Sequence, residues 1–516
     1  MSVVVLVYML LSCITAVVVP WLGIIFYYLM AVGQPEDMWP QHFGEDNRLS
    51  LIISLSVLAG LGLATATRQV DFRRLFALPN LALILLLVAF NLSIRMSPFA
   101  DFVDTKLNKL SSGEMLDIFN KIMIIYFAAV LLIDTRFKLI CLLTAGGGIF
   151  LYYALWANKI YFTNEFWRFG DNGRLNGPWG MYYDENYLAM LFVLATPIFY
   201  YFSVGTNSRI IRYGLWVCIP LSWHALFLTG SRGALLSLAV TCLYIFFRSY
   251  SKKASMVLLL GLIVAIADQS GNMLTRITDT VSTQELERER AFRENDEDSP
   301  EITGKPVDPR LISWQVGLQI MRDYPLMGIG AANFMRAWPE YEDSVPHVAH
   351  NTFVQYGAAC GVGAALIYLY FLFLRLSNAV RKPDPEKKNA HGYERDYLDD
   401  LINSLFIGFY SVAFFLDLMI LEITYFIFLV GTCKYCLDNR KRHTIRSMIE
   451  SIYRWRQEAK AEEVQAESAY ANSIMVPEYD VNDGIESEPV EVKVAEVPKQ
   501  DAMPENQYNP ANLYAR

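Results

Sequence analysis

The chain has 516 residues, of which 54% are hydrophobic. These apolar residues occur in long unbroken runs, which excludes an ordinary soluble globule and indicates an all-α polytopic membrane protein. The formal charge is −8, and residues 458–516 alone hold 13 acidic and 4 basic side chains. The rest of the chain is therefore almost neutral, and it has no basic surface of the kind that binds nucleic acid.

The first apolar run, residues 3–32, is interrupted by Pro20-Trp21. It forms either one long kinked helix or two short helices of a re-entrant pair, and we favour the single kinked helix. The run lacks a basic n-region and a small-residue cleavage site, so it is interpreted as a retained anchor.

Further apolar runs each have close to the ~20 residues that cross a bilayer. They are predicted at residues 49–66, 76–93, 115–133, 139–157, 186–203, 211–229, 232–248, 254–270, 350–374, 401–419 and 420–437. Together with the first run, they predict about twelve transmembrane helices.

Lys and Arg residues in the short loops predict the orientation, because positive charges stay on the cytoplasmic side. The loops at 68–74, 136–138, 209–212, 248–253 and 381–388 share one side and are basic. We therefore expect this side to be cytoplasmic, together with the tail 438–516, which is predicted to be mostly disordered. The other side carries the large loop 271–349, whose charge-dense part is expected to be solvated.

Three separated arginines fall on the predicted extracytoplasmic face, which the positive-inside rule expects to be poor in Arg. Arg174 lies in a loop shaped by Gly and Pro, Arg232 lies in a tight turn between two apolar runs, and Arg310 begins a long polar stretch. Each arginine alone is equally explained by snorkelling to a lipid phosphate. Together they indicate a polyanion site, because guanidinium groups bind phosphate oxygens in a bidentate fork.

Two polar stretches surround these arginines. After Arg174, either Asp184 or Asn186 is expected to cap the next helix. The stretch 310–355 predicts an amphipathic helix, a Gly-rich turn at 325–330 and a His at a helix entrance. The apolar positions of the predicted helix are Leu311, Trp314, Leu318 and Met321.

His350 has three interpretations. It is a hydrogen-bonded residue at a helix end, or a zinc ligand paired with His347 if Pro346 starts a helix, or a general base. No HExxH motif or third ligand supports zinc. We favour the general base and predict neither a metal nor a cofactor.

The order of these motifs resembles the O-antigen ligase and polymerase superfamily of bacterial inner-membrane glycan transferases. The resemblance covers about residues 158–374 and rests on Arg174 with Gly177-Pro178 and Asp184-Glu185-Asn186, on Gly230-Ser231-Arg232-Gly233, and on the 325–330 turn followed by His350-Asn351. The start of the chain (Pro20-Trp21-Leu22-Gly23, Gln34-Pro35, Trp39-Pro40) is similar to exosortase-associated O-glycosylation ligases.

The resemblance implies a GT-C-like fold and a metal-independent, inverting glycosyltransferase that acts at the periplasmic face of the inner membrane. The donor would be a glycan on undecaprenyl diphosphate, and the acceptor a hydroxyl of a glycan, lipid or protein. His350, Arg232 and Arg174 would be catalytic. The substrate-binding residues would be Arg310, Asn186, Asp184, Asn351 and His347.

Alternative functions are a glycan polymerase of the same superfamily, a transporter of lipid-linked glycans, and a membrane scaffold whose acidic tail binds a partner. The expected domains are N-terminal transmembrane helices (1–157), a catalytic core (158–375), a cytoplasmic loop with the last two helices (376–437) and a cytoplasmic tail (438–516).

Overall fold

The computed structural model describes residues 3–38, 42, 49–99, 111–170, 173–178, 180–249, 251–278, 309–380 and 396–439. The charge-dense part of the large loop, the basic loop at 381–388 and the tail from residue 440 lie outside these residues. The described chain is helical and contains no β-strand, only one isolated bridge between Phe169 and Leu175. The all-α expectation is confirmed for this part of the chain.

The helices follow most of the predicted apolar runs. They are α1 (Val3–Val18), α2 (Pro20–Ala31), α3 (Pro35–Met38), α4 (Leu49–Ala66), α5 (Leu78–Arg95), α6 (Ser112–Leu132), α7 (Arg136–Phe162), α8 (Glu185–Gly205), α9 (Arg209–Thr229), α10 (Arg232–Arg248), α11 (Lys252–Thr278), α12 (Pro309–Asp323), α13 (Phe334–Ala337), α14 (Thr352–Cys360), α15 (Val362–Val380), α16 (Tyr397–Ala413) and α17 (Glu422–Asp438). Short 3-10 turns lie at Phe72–Phe76, Phe166–Arg168, Gly180–Tyr183 and Trp338–Glu340. Among the described helices, six (α4 to α9) are long and apolar enough to cross a membrane.

The first apolar run forms two helices, so the favoured single kinked helix is wrong. α1 ends at Val18 and α2 begins at Pro20, whose ring removes a backbone donor and crowds the preceding turn. The two helices pack closely, because a Cβ added to Gly23 would lie 2.6 Å from the Cβ of Ala16.

The predicted span 350–374 is also divided, at Gly361, into α14 and α15. Gly361 has φ +86°, a left-handed conformation that favours glycine. A Cβ at this position would lie 2.3 Å from the carbonyl oxygen of Leu326. The glycine therefore both ends α14 and lets the chain approach the 325–330 turn.

The predicted span 401–419 ends early, because α16 stops at Ala413. Residues 414–421, here called the connecting segment, are not α-helical and lead into α17. Most of the segment is buried or half-buried, with Leu416, Leu418 and Met419 at most 4% exposed. An apolar composition thus reflects burial here rather than a continuous helix.

Two features hold the helix bundle together. Gly146 of α7 permits close packing, since a Cβ on it would lie 2.7 Å from the ring of Phe426. A buried ion cluster joins α15, α16 and α17: Lys434 bonds Asp399 and Asp438 at 2.9 and 2.7 Å, and Arg375 bonds Asp399 at 3.1 Å.

Candidate active site

Arg174 is held by three partners from two helices. Its Nε donates to the carbonyl oxygen of Thr229 at 2.9 Å, and its Nη2 donates to Oδ1 of Asn186 at 2.9 Å. Its Nη1 pairs with the carboxylate of Glu185 at 2.5 Å. The guanidinium therefore joins the end of α9 to the start of α8.

Asn186 and Ser231 form the polar centre of this contact. The hydroxyl of Ser231 donates to Oδ1 of Asn186 at 2.8 Å, the same oxygen that accepts from Arg174. Ser231 also caps α10, and Asp184 caps α8 by accepting the N–H groups of Asn186 and Tyr187. Of the two predicted caps, the structure therefore places Asp184 at the helix end and directs the Asn186 side chain into the site.

A small cavity lies beside this centre. Its walls are formed by Asn186, Ser231, Gly233, Ala234, Arg310, Val412, Phe415 and Leu416. Arg310, at the start of α12, thus shares a cavity with the partners of Arg174. Arg232 is the first residue of α10 and is exposed directly after Ser231. Arg174, Arg232 and Arg310, the three predicted arginines, therefore lie in the same region around the cavity.

The connecting segment links this cavity to His350-Asn351. Phe415 and Leu416 line the cavity, while the carbonyl oxygen of Leu416 accepts a hydrogen bond from the Thr352 hydroxyl at 2.6 Å. The Nδ2 of Asn351 donates to the carbonyl oxygen of Phe414 at 3.1 Å. The start of α14 is thereby fixed to one wall of the cavity.

Asp417 supports the turn that carries His350. One carboxylate oxygen accepts the N–H of Asn351 at 3.1 Å. Burial raises the pKa of Asp417 to about 6, and the backbone N–H groups of His350 and Asn351 partly oppose this rise. His350 itself has φ +47°, a conformation that costs of order 1 kcal/mol for a residue other than Gly. Asn351 caps α14 by accepting the N–H of Val354 at 3.1 Å.

The glycine-rich turn at 325–330 supports the opposite end of α14. The N–H groups of Ile329 and Gly330 donate to the carbonyl oxygens of Ala358 and Ala359, each at 2.9 Å. These are carbonyls that the end of a helix leaves without partners. A Cβ on Gly328 would lie 2.4 Å from the Ala358 oxygen, so this turn requires its glycine.

The amphipathic helix α12 is present, and its predicted apolar face is confirmed only in part. Met321 is buried and Trp314 is half-buried, but Leu311 and Leu318 are each 54% exposed. Val316 and Ile320 are buried instead. The buried side packs on α14, since a Cβ on Gly317 would lie 2.1 Å from the Val354 side chain. Trp314 contacts Phe414 of the connecting segment, with ring centroids 4.9 Å apart.

His347 is not on the same helix face as His350. The segment from Pro346 to His350 is not helical, and α14 begins only at Thr352, so the geometry assumed for a zinc pair is wrong. The His347 ring instead lies edge-on to the buried Trp338, with centroids 5.7 Å apart. No group of three or more His, Cys, Asp or Glu that could hold a metal occurs in the described chain.

Several residues of the region were not anticipated. Glu185 was a motif neighbour without a role, and its position beside Arg174 offered a signal because the two side chains are oppositely charged. Asp417 lies in a run that hydropathy alone assigns to a helix, so its contact with Asn351 has no local signal. The long-range bonds of the connecting segment leave no local pattern in the sequence.

Residues 217–369 match the family model for O-antigen ligase. Residues 217–369, here called the O-antigen ligase domain after this match, include Ser231, Arg232, Arg310 and His350, whereas Arg174 and Asn186 precede them. Together with the apolar helices, the similarity supports a multi-pass membrane enzyme of the O-antigen ligase and polymerase type. The match does not separate exosortase-associated ligases from other members, and no curated protein matches the chain.

Proposed function

We propose that this protein transfers a glycan from undecaprenyl diphosphate to an acceptor hydroxyl, as an O-antigen ligase or O-glycosylation ligase. The observation that carries the proposal is the cavity that Arg310 lines together with Asn186 and Ser231, with Arg232 next to Ser231 in sequence. A diphosphate leaving group needs positive charge and hydrogen-bond donors, which such a cavity supplies.

The arginines divide between two roles. Arg310 lines the cavity and Arg232 is exposed beside it, so we assign these two to the diphosphate. Arg174 makes three contacts within the protein, with Glu185, Asn186 and Thr229. We therefore assign Arg174 a positioning role: it fixes Asn186 and the start of α10. The charge of the arginines makes the proposed route independent of a metal ion.

His350 is the proposed base. The acceptor oxygen attacks the anomeric carbon, the bond from that carbon to the diphosphate oxygen breaks, and the configuration inverts. The acceptor proton passes to the imidazole, and undecaprenyl diphosphate leaves with the bonding electrons. Asn351 and Asp417 hold the His350 turn against the cavity wall, which limits the positions that the base can occupy.

We also propose the topology that the loop charges predict. The chain would cross the bacterial inner membrane with about twelve helices. The cavity would face the periplasm and the tail 438–516 the cytoplasm. The division into residues 1–157, 158–375, 376–437 and 438–516 is proposed on the same basis.

Reconstitution tests this function. Purified protein in vesicles is given a glycan on undecaprenyl diphosphate together with glycan, lipid or protein acceptors, and product masses are measured with and without a chelator. We expect transfer that survives chelation and that is abolished in His350→Ala, Arg232→Ala and Arg310→Ala. Arg322→Ala is the matched control for Arg310, because Arg322 lies on the same helix with its side chain 77% exposed. Full transfer by purified His350→Ala would rule out the base assignment.

The same assay distinguishes the alternatives. A ladder of products that differ by one repeating unit would identify a polymerase, whereas a single addition to a foreign acceptor identifies a ligase. A transporter would move the donor across the vesicle without forming a product. A transport path would need charged residues deep within several spans, whereas Asp417 lies in the connecting segment and Glu422 is the first residue of α17.

A further inference from the structure

A cluster of exposed aromatic rings lies at the end of α7 and in the segment that follows it. Phe162 is 71% exposed, Phe166 is 57% exposed and Trp167 is 69% exposed. The Arg168 guanidinium stacks on the Trp167 ring at 4.2 Å. These residues precede the O-antigen ligase domain, and the proposed chemistry gives them no role.

The cluster continues the outward-facing surface of two membrane-spanning helices. On α7, Leu155 is 51% exposed and is followed on the same face by Lys159 and Phe162, at spacings of four and three residues. On α9, Tyr213 and Val217 are exposed on the face that reaches His224. In an apolar helix of a membrane protein, such a face contacts lipid.

Polar side chains on the exposed faces of α7 and α9 indicate the depth at which the hydrocarbon core of the bilayer ends. The side chain of Lys159 is 67% exposed, and its ammonium lies 3.7 Å from Glu165. On α9, the His224 ring lies between Tyr161 and Phe162, with centroids 5.0 and 6.0 Å away. Lys and His side chains avoid the hydrocarbon centre and are tolerated near the interface, where aromatic rings are enriched.

The length of α7 agrees with this level. Its 27 residues extend about 40 Å, which exceeds the ~30 Å thickness of the hydrocarbon core. The end at Phe162 therefore reaches the headgroup region. The rings of Phe166 and Trp167 follow Phe162 by four and five residues.

Backbone contacts between residues 168–170 and 174–176, here called the Arg174 hairpin, connect the aromatic cluster to Arg174. The N–H of Asn176 donates to the carbonyl oxygen of Arg168 at 3.1 Å, and the N–H of Gly170 donates to the carbonyl oxygen of Arg174 at 2.9 Å. Phe169 and Leu175 form a bridge between these two bonds. A displacement of the cluster would therefore move the Arg174 backbone.

We propose that residues 161–169 form an interfacial anchor that binds the lipid headgroup region on the side of the membrane where the cavity lies. The anchor sets the height of the Arg174 hairpin relative to the lipid phosphates. This second part rests on the proposed function, because it explains how the diphosphate of a lipid-linked donor meets Arg310 and Arg232. The anchoring itself does not depend on that function.

Depth-dependent quenching tests the anchor directly. The chain has 10 Trp residues, so the contribution of Trp167 is obtained as the difference in fluorescence between wild type and Trp167→Phe in vesicles. We expect this component to be quenched by phospholipids brominated near the headgroup and to resist aqueous iodide. The matched difference for Trp338→Phe should be quenched neither by the brominated lipid nor by iodide, because Trp338 is fully buried. Quenching by iodide alone, or protection by a soluble oligosaccharide, would overturn the proposal and indicate a sugar-binding surface instead.

Enzyme kinetics test whether the anchor sets the height of the Arg174 hairpin. The double variant Phe162→Ser with Trp167→Ser should raise KM severalfold for an undecaprenyl-linked donor and leave kcat nearly unchanged. A short-chain, water-soluble donor should show no such change. Phe137→Ser is the matched control, since Phe137 is an exposed ring (66%) at the opposite end of α7. An equal rise in KM with both donors would contradict the proposal that the anchor sets the height of the hairpin. If no donor is used even by wild type, the proposed function fails while the quenching result still decides the anchor.

Discussion

The carboxylate of Asp417 accepts a hydrogen bond from the backbone N–H of Asn351 at 3.1 Å. The other carboxylate oxygen is buried without a hydrogen-bond partner among the described residues. A buried carboxylate that is only partly satisfied destabilises the folded state in its charged form. Asp417 therefore combines support for the His350 turn with a dependence of stability on pH.

Substitution of Asp417 should remove part of that pH dependence. The pKa of the folded state is about 6, above the unfolded value of 3.8, so the contribution of Asp417 is most favourable below pH 4 and is lost as pH rises through 6. Asp417→Asn resembles the protonated form. We expect the variant to unfold only slightly above wild type at pH 4.5 and at a clearly higher temperature than wild type at pH 7.5.

Thermal unfolding in detergent at pH 4.5, 5.5, 6.5 and 7.5 measures this difference. Because other groups titrate equally in both proteins, only the gap between the two curves is informative. A gap that stays constant with pH would contradict the raised pKa. Asp417→Ala, which removes the acceptor for Asn351, should be less stable than Asp417→Asn at every pH.

Gly361→Ala should weaken the support of α14. Alanine would have to adopt φ +86°, and its Cβ would lie 2.3 Å from the Leu326 oxygen. We expect a loss of at least about 1–2 kcal/mol in unfolding free energy, with reduced transfer activity. Gly363→Ala is the matched control, because no atom lies within 4 Å of its added Cβ. Equal melting temperatures for the two variants would show that the approach of the turn is not required.

Asn186→Ala should disconnect Arg174 from Ser231. The substitution removes the oxygen that accepts from both side chains, which leaves two donors with one partner fewer and costs about 1–3 kcal/mol. Asn186→Asp keeps an acceptor at the same place and should retain more stability. The control is Asn176→Ala, whose amide makes only a long 3.4 Å contact with Tyr183 at the surface. We expect transfer activity to fall in Asn186→Ala and to persist in the control.

The buried ion cluster should be structural. Lys434 is only 5% exposed and bonds both Asp399 and Asp438, so Lys434→Met leaves Asp438 without this cation and Asp399 with Arg375 alone. Because the two carboxylates are 44% and 33% exposed, we expect a cost of about 1–3 kcal/mol, below that of a fully buried pair. The exposed pair between Arg322 and Asp323 should contribute less than about 1 kcal/mol when it is broken by Arg322→Ala. A comparison of melting temperatures in one detergent checks both expectations.

The sequence anticipated what hydropathy and charge encode locally. Apolar runs located α4 to α9 within a few residues at most ends, and the arginines near 174, 232 and 310 indicated the region of the cavity. Hydropathy could not separate α14 from α15 or detect the connecting segment, because both breaks are buried and apolar like the helices around them. Leu311 and Leu318 are exposed although their spacing predicted burial, because apolar spacing does not determine which partner a helix face meets.

The supports of α14 also impose an order on biosynthesis. One end of this helix is held by the 325–330 turn, which the ribosome makes earlier, and the other by the connecting segment, which is made later. A nascent chain that has completed Arg174, Ser231 and Arg310 still lacks the contacts that fix His350. Because segments fold as they emerge, the cavity gains its complete walls only after α17 has followed the connecting segment out of the ribosome. The arrangement would keep the enzyme inactive during translation, when a half-built cavity already holds its arginines.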